Sequence, residues 1–143
     1  MAVPDQQGPP LAGNWQTGEV TRTGAWTVGG LWIDWSTHRY ALLVDERHCN
    51  ETGFMHGGAM ATFLDGQAFV VIGDMLKKGH NPTISLSVDF LAPPALGEWL
   101  VAEVQLIKIT RSMIVTQALA RIGDRVVARS NAIYSNTQGK DAP

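Results

Sequence analysis

Residues 56–94 read HGGAMATFLDGQAFVVIGDMLKKGHNPTISLSVDFLAPP, and the hydrophobic period changes part-way along them. Over residues 59–77, Met60, Phe63, Leu64, Phe69, Val70, Val71, Ile72, Met75 and Leu76 fill most of a helical circumference. A helix that is apolar nearly all round is a buried helix. Lys77 and Lys78 stand near its end, where the helix dipole favours cations, and Gly79 and Pro82 lie just beyond, so the helix stops there. After Pro82 the period becomes two: Ile84, Leu86, Val88 and Phe90 alternate with Thr83, Ser85, Ser87 and Asp89. That alternation predicts a strand with one buried face, which Pro93 and Pro94 end.

Working outward, residues 31–35 and 39–44 flank Ser36, Thr37 and His38 and read as two short strands joined by a tight polar loop. Towards the C-terminus, residues 98–109, 112–122 and 125–134 are Val/Ile/Leu-rich runs, separated at Thr110-Arg111 and at Gly123-Asp124. They predict successive antiparallel hairpins. One buried helix among five or six strands that do not alternate with helices makes the fold class α+β, an antiparallel β-sheet wrapped around one long buried helix, and excludes a doubly wound nucleotide-binding fold. Residues 1–20, with Pro4, Pro9, Pro10, Gly8 and Gly13 and no hydrophobic period, read as a flexible N-terminal arm. Residues 136–143 read as a flexible C-terminal tail, which leaves residues 21–135 as the folded domain.

The chain length of 143 residues suits one domain rather than two. Only 17% of residues are charged, below the roughly 25% typical of soluble domains, which points to surface covered by a second copy: a homodimer or tetramer. Eleven Lys and Arg against thirteen Asp and Glu leave a net charge of −2 and no basic cluster, so the electrostatic basis for nucleic-acid binding is missing. A single cysteine, Cys49, and no charged start followed by an apolar run fit a reducing, cytoplasmic setting. Asp65, Asp74 and Asp89 interrupt the apolar stretches well short of the roughly 20 residues that cross a bilayer, so no membrane partner is expected.

Asp65 is the most unusual residue of the predicted helix. Its neighbours three and four positions away are Ala61, Thr62, Ala68 and Phe69, surroundings that raise the cost of ionisation. The plain reading is a solvent-facing Asp or one bonded to a nearby backbone group. His56-Gly57-Gly58 stands just before the helix, where free backbone N–H groups and the positive end of the dipole point outward. Glycines there let a carbonyl oxygen approach the main chain, as a thioester or ester needs when its tetrahedral intermediate forms; the plain reading is a Gly-rich helix entry. His48, Cys49 and His56 match no ordinary zinc spacing, so no metal is assigned. No Gly-x-Ser-x-Gly elbow follows the His-Gly-Gly string, which removes an α/β-hydrolase. Trp15, Trp26, Trp32, Trp35 and Trp99 read as packing or interface residues.

Asn50, Gly53, His56, Gly57, Gly58, Leu64 and Asp65 stand in the pattern N-x-x-G-x-x-H-G-G-x5-L-D. With residues 83–94 and Leu96-Gly97-Glu98, this resembles the hot-dog-fold acyl-CoA thioesterases of the phenylacetate-degradation (PaaI-like) type, over roughly residues 31–134. The resemblance implies a hot-dog fold and hydrolysis of an acyl- or aryl-CoA thioester to a carboxylic acid and free CoA. Asp65 would be nucleophile or general base, the Gly57 N–H would polarise the thioester carbonyl beside Gly58, and Asn50 and His56 would place the thioester. The family's Ser or Thr on the following strand aligns with Thr83, or else Ser85. Arg111 and Ser112 sit at a predicted turn where similar enzymes meet the nucleotide end of CoA, and an Arg fork suits phosphate; the plain reading is a solvated turn. The resemblance also implies a site between two subunits, with Asp65 of one chain facing Asn50, His56 and Gly57 of the other.

The reading is therefore a cytoplasmic acyl-CoA thioesterase without metal or redox cofactor, CoA being part of the substrate. Two alternatives stand beside it. One is an acyl-CoA hydratase or dehydratase, which would need a His and an acid poised over the α and β carbons. The other is a non-catalytic acyl-CoA or hydrophobic-ligand binding protein in which Asp65 is structural.

Overall fold

In the computed structural model, residues 8–18, 28–73 and 81–137 are described. The strands are β1 (Gln16–Gly18), β2 (Leu31–Asp34), β3 (Arg39–Leu43), β4 (Thr83–Phe90), β5 (Trp99–Ile109), β6 (Met113–Ile122) and β7 (Arg125–Ser135). The helices are α1 (Gly57–Leu64) and α2 (Gln67–Ile72), preceded by a short 3₁₀ turn at Glu46–His48. All strands join one antiparallel sheet in the order β1-β2-β3-β5-β6-β7-β4. The predicted α+β arrangement is the one adopted, with seven strands among the described residues rather than five or six.

The alternating β-branched runs of β5, β6 and β7 send Val104, Ala118, Ala120 and Val127 inward, where Met60, Phe63 and Leu64 of α1 bury against them together with Tyr40, Leu42 and Leu100. A second cluster gathers Ala68 and Ile72 of α2 with Ile114, Ala132 and Tyr134. Fully burying each large apolar side chain stabilises the fold by roughly 1.5–3 kcal/mol, so this contact fixes the helices on the sheet.

The helix is not the continuous one that periodicity predicts over residues 59–77. It breaks at Asp65-Gly66, because side-chain donors take the carbonyls a longer helix would use. Tyr40 O–H donates to Phe63 O at 2.6 Å, Gln67 Nε2 to Leu64 O at 3.0 Å and Tyr134 O–H to Asp65 O at 2.9 Å. Burial, and then nearby negative charge, push both tyrosine hydroxyls well above their ordinary range, so both remain protonated donors. The expected helix end at Lys77, Lys78 and Gly79 lies outside the described residues.

The expected burial of one β4 face is also corrected. Leu86 and Val88 are half-buried, but Ile84 and Phe90 are 58% and 57% exposed. The cause is position: among the described residues β4 is the last strand of the sheet and pairs only with β7. A second irregularity matters more. Thr83 pairs with Tyr134 and Ser85 with Ile133, so Ile84 is the extra residue of a β-bulge. The bulge turns Thr83 to the helix side, although strict alternation places it with Ser85, Ser87 and Asp89.

Part of the segment read as an arm is pinned. Strand β1 pairs with β2, and the buried Asp34 carboxylate accepts from Asn14 N, Ser36 N, Ser36 Oγ and Arg39 Nη2. Arg39 also donates to Ala12 O at 2.9 Å and lies 4.9 Å from the Trp15 ring centroid. Burial alone would raise the Asp34 carboxyl, but the hydrogen bonds from Ser36, Thr37, Arg39 and Asn14 outweigh it and hold the group well below the ordinary carboxylate range. At the other end, Asn136 is buried and its Nδ2 donates to Thr110 O at 2.9 Å. Of the other tryptophans, Trp32 lies against Gly8, and Trp35 is 37% exposed with its ring centroid 5.2 Å from that of Phe69. Trp26 falls outside the described residues.

Candidate active site

Asp65 closes α1 as its C-cap residue, with its N–H donating to Ala61 O at 3.0 Å. Its side chain leaves the helix end towards solvent rather than lying among Ala61, Ala68 and Phe69, so the apolar surroundings expected from helical spacing are not what it meets. The Thr83 hydroxyl donates to Asp65 Oδ1 at 2.8 Å. Of the two candidates on this strand, the bulge delivers Thr83 to the carboxylate and leaves Ser85 on the opposite face.

At the other end of α1, His56 is the N-cap with extended backbone and Gly57 is the first helical residue. His56 makes no side-chain cap, so the free N–H groups of Gly57 and Gly58 face outward at the positive end of the dipole. Gly57 lies against the Phe90 ring, and a Cβ built on it would stand 3.5 Å from Phe90 Cε1. The entry is held from behind by His56 N donating to His48 O at 2.8 Å and Met55 N donating to Pro94 O at 2.8 Å.

Asn50 organises the loop before the helix. Its Oδ1 accepts from Thr52 N at 3.0 Å, Thr52 Oγ1 at 2.6 Å and Phe54 N at 3.2 Å. An Asx turn of this kind positions the chain that leads into His56 and Gly57. His48 is buried and committed: its Nδ1 accepts from Asp45 N at 3.0 Å, which leaves Nε2 as the protonated nitrogen, 2.7 Å from Val28 O. Burial, and then the Asp45 carboxylate, push the Cys49 thiol up. Neither ring nitrogen of His48 is left for a metal.

Arg111 and Ser112 are exposed in the β5–β6 turn, which Thr110 Oγ1 closes by accepting from Ser112 N and Met113 N. Register places this turn near Thr83: Ile114 pairs with Tyr134, and Tyr134 with Thr83. One end of the sheet thus carries Asp65, Thr83 and the Arg111 turn. Gly57, Phe90 and the His56 entry lie at the opposite end of α1. An eight-residue helix is about 12 Å long, so one chain does not bring Asp65 to its own Gly57 N–H.

The profile of the thioesterase superfamily matches residues 52–129, a span that holds His56, Gly57, Asp65 and Thr83. The chain belongs to that superfamily. A Pseudomonas aeruginosa protein named as an inferred esterase is 30% identical over 99 residues, 66% of this chain and 71% of that protein. The solved structure of an inferred thioesterase, a phenylacetic acid degradation-related protein from Ralstonia eutropha, matches with a TM-score of 0.62 at 20% identity, over 72% of this chain and 80% of that one. A Streptococcus mutans protein solved with acetyl CoA matches with a TM-score of 0.59 at 21% identity, over 68% and 77% of the two chains. The thioesterase-superfamily chain therefore has the hot-dog fold, and thioester hydrolysis is its class of activity. No helix among its described residues is long and apolar enough to cross a membrane.

Sequence reasoning missed Gln67, Tyr40 and Tyr134, the donors that end α1 beside Asp65. Gln67 carried a signal, a long amide inside an otherwise apolar run. The tyrosines carried none, because their role depends on strands distant in sequence.

Proposed function

We propose that this thioesterase hydrolyses an acyl- or aryl-CoA to a carboxylic acid and free CoA at sites shared by two subunits of a homodimer or tetramer. The observation that carries the reading is the Asp65–Thr83 pair, an exposed carboxylate oriented by a hydroxyl. Asp65 takes a proton from water while Thr83 fixes the carboxylate, and the hydroxide adds to the thioester carbon. The Gly57 N–H of the partner's helix receives the oxyanion, and Asn50 and His56 shape that entry. The C–S bond then breaks, and the thiolate of CoA leaves with the proton that Asp65 holds. Direct attack by Asp65, through an anhydride that water then opens, uses the same groups. Water is the only co-reactant; no metal or redox cofactor enters.

Two features support the shared site. The roughly 12 Å between the ends of α1 separates base from oxyanion site within one chain. Among the described residues strand β4 is also the edge of the sheet, with Ile84, Phe90 and neighbouring Leu91 exposed, surface that a second copy can cover. Arg111 and Ser112 are proposed to meet the phosphates of CoA, for which a guanidinium fork is suited. A cytoplasmic location fits a CoA-dependent substrate.

The test is a panel of short, medium-chain and aryl acyl-CoAs followed by release of free thiol. Hydrolysis of at least one class, lost in Asp65→Asn, is the expected result. Binding of acyl-CoA without thiol release would replace the enzyme by a non-catalytic binding protein.

A further inference from the structure

Gln67, the first residue of α2, is fully buried, and its amide is saturated. Nε2 donates to Leu64 O at 3.0 Å and to Ser130 Oγ at 2.9 Å, while Oε1 accepts from Thr116 Oγ1 at 2.8 Å. Ser130 Oγ passes its own proton to Ser87 O at 2.8 Å, which extends the chain of bonds into β4. The network therefore joins the helix break to β6, β7 and the strand that carries Thr83. A buried amide is costly unless every group is paired, and here every group is.

What the amide does follows from the carbonyl it occupies. In a continuous helix Leu64 O would accept from the N–H four residues on; with the Gln67 side chain on it, and Tyr134 on the next carbonyl, α1 ends at Leu64. Ending the helix there makes Asp65 a cap residue, whose side chain reaches Thr83 across the bulge. We infer that Gln67 is a positioning residue for the Asp65 carboxylate: through Leu64 O, Thr116 and Ser130 it sets the distance between α1 and β4 at which Asp65 meets Thr83. This rests on the proposed role of Asp65. Gln67 does not touch the reacting atoms.

The experiment uses the intact protein and thiol release from hexanoyl-CoA and benzoyl-CoA, measured well below the unfolding temperature of each variant. Gln67→Met keeps the volume and removes the hydrogen bonds; kcat is expected to fall about tenfold with KM within about twofold, because a base displaced by a fraction of an ångström loses rate rather than affinity. Thr116→Val removes only the bond to Oε1 and is expected to lower kcat about threefold, whereas Thr116→Ser restores it. A purely structural role would lower the Tm of both variants and leave kcat of the folded enzyme unchanged, and that result would overturn the inference. Should Gln67→Met fail to fold, the Thr116→Val and Thr116→Ser pair decides. In an Asp65→Asn background Gln67→Met should cost nothing further; an additional loss there would show that it acts elsewhere. If Asp65→Asn alone turns over normally, the catalytic reading and this inference both fall, whereas a dead Asp65→Asn with a fully active Gln67→Met removes the positioning role alone.

Discussion

The Thr83 hydroxyl donates a 2.8 Å hydrogen bond to Asp65 Oδ1, joining the last turn of α1 to the first residue of β4 across eighteen positions of sequence. Neither residue is positioned by its own element alone. Asp65 is presented because side-chain donors stop the helix, and Thr83 because a bulge at Ile84 turns it to the helix side.

Asp65→Asn is expected to lower kcat by at least about a hundredfold, since an amide neither takes the proton nor attacks. Thr83→Ala should cost about tenfold and Thr83→Ser much less, because the serine hydroxyl can still donate. Steady-state thiol release checks both, with circular dichroism to confirm the fold. Near-normal turnover of Asp65→Asn would end the mechanism.

Gly57→Ala separates space from chemistry. The added methyl stands 3.5 Å from the Phe90 ring, an ordinary contact, so the unfolding temperature should hardly change. Turnover should nevertheless fall at least about tenfold, because the methyl crowds the position where the oxyanion approaches the N–H. Unchanged kinetics would move the oxyanion site elsewhere.

A shared site predicts complementation between inactive chains. Asn50→Ala is the partner for Asp65→Asn, because it removes the oxygen that accepts from Thr52 and Phe54 and so disturbs the loop that leads into His56 and Gly57. After subunit exchange, half of randomly paired dimers are mixed and each holds one intact site, so about a quarter of wild-type activity should return. No recovery, with exchange verified by mass spectrometry, places the whole site in one chain.

The Asp34 cluster predicts an acid-labile component of stability. Because its folded-state pKa lies below the ordinary value of 3.8, the contribution is complete above that value and declines as pH falls from it towards the lower, folded value. Asp34→Ala removes the acceptor shared by Asn14, Ser36 and Arg39 and takes the carboxylate from Arg39, which should cost about 2–4 kcal/mol at neutral pH. Denaturant titrations from pH 7 to 3 should give a difference between wild type and variant that is flat above about pH 5 and shrinks below pH 4. A constant difference throughout would exclude the linkage.

By itself the sequence determined the class of fold, because period-two strands and one apolar helix leave few ways to bury their faces, and it determined which residue types stand at the helix entry. Hairpins at Thr110-Arg111 and Gly123-Asp124 were legible for the same local reason. Where the helix ends, which face Thr83 takes and how much of β4 is covered were decided only by tertiary structure. The helix break depends on Tyr40, Gln67 and Tyr134, whose donors reach the carbonyls of Phe63, Leu64 and Asp65 from β3, from α2 and from β7. The face of Thr83 depends on a register shift against Tyr134, and a slip of one residue exchanges the faces of a strand without changing a letter of its sequence. The exposure of Ile84 and Phe90 follows from β4 being the last strand, a fact of sheet order that alternation along one strand does not contain.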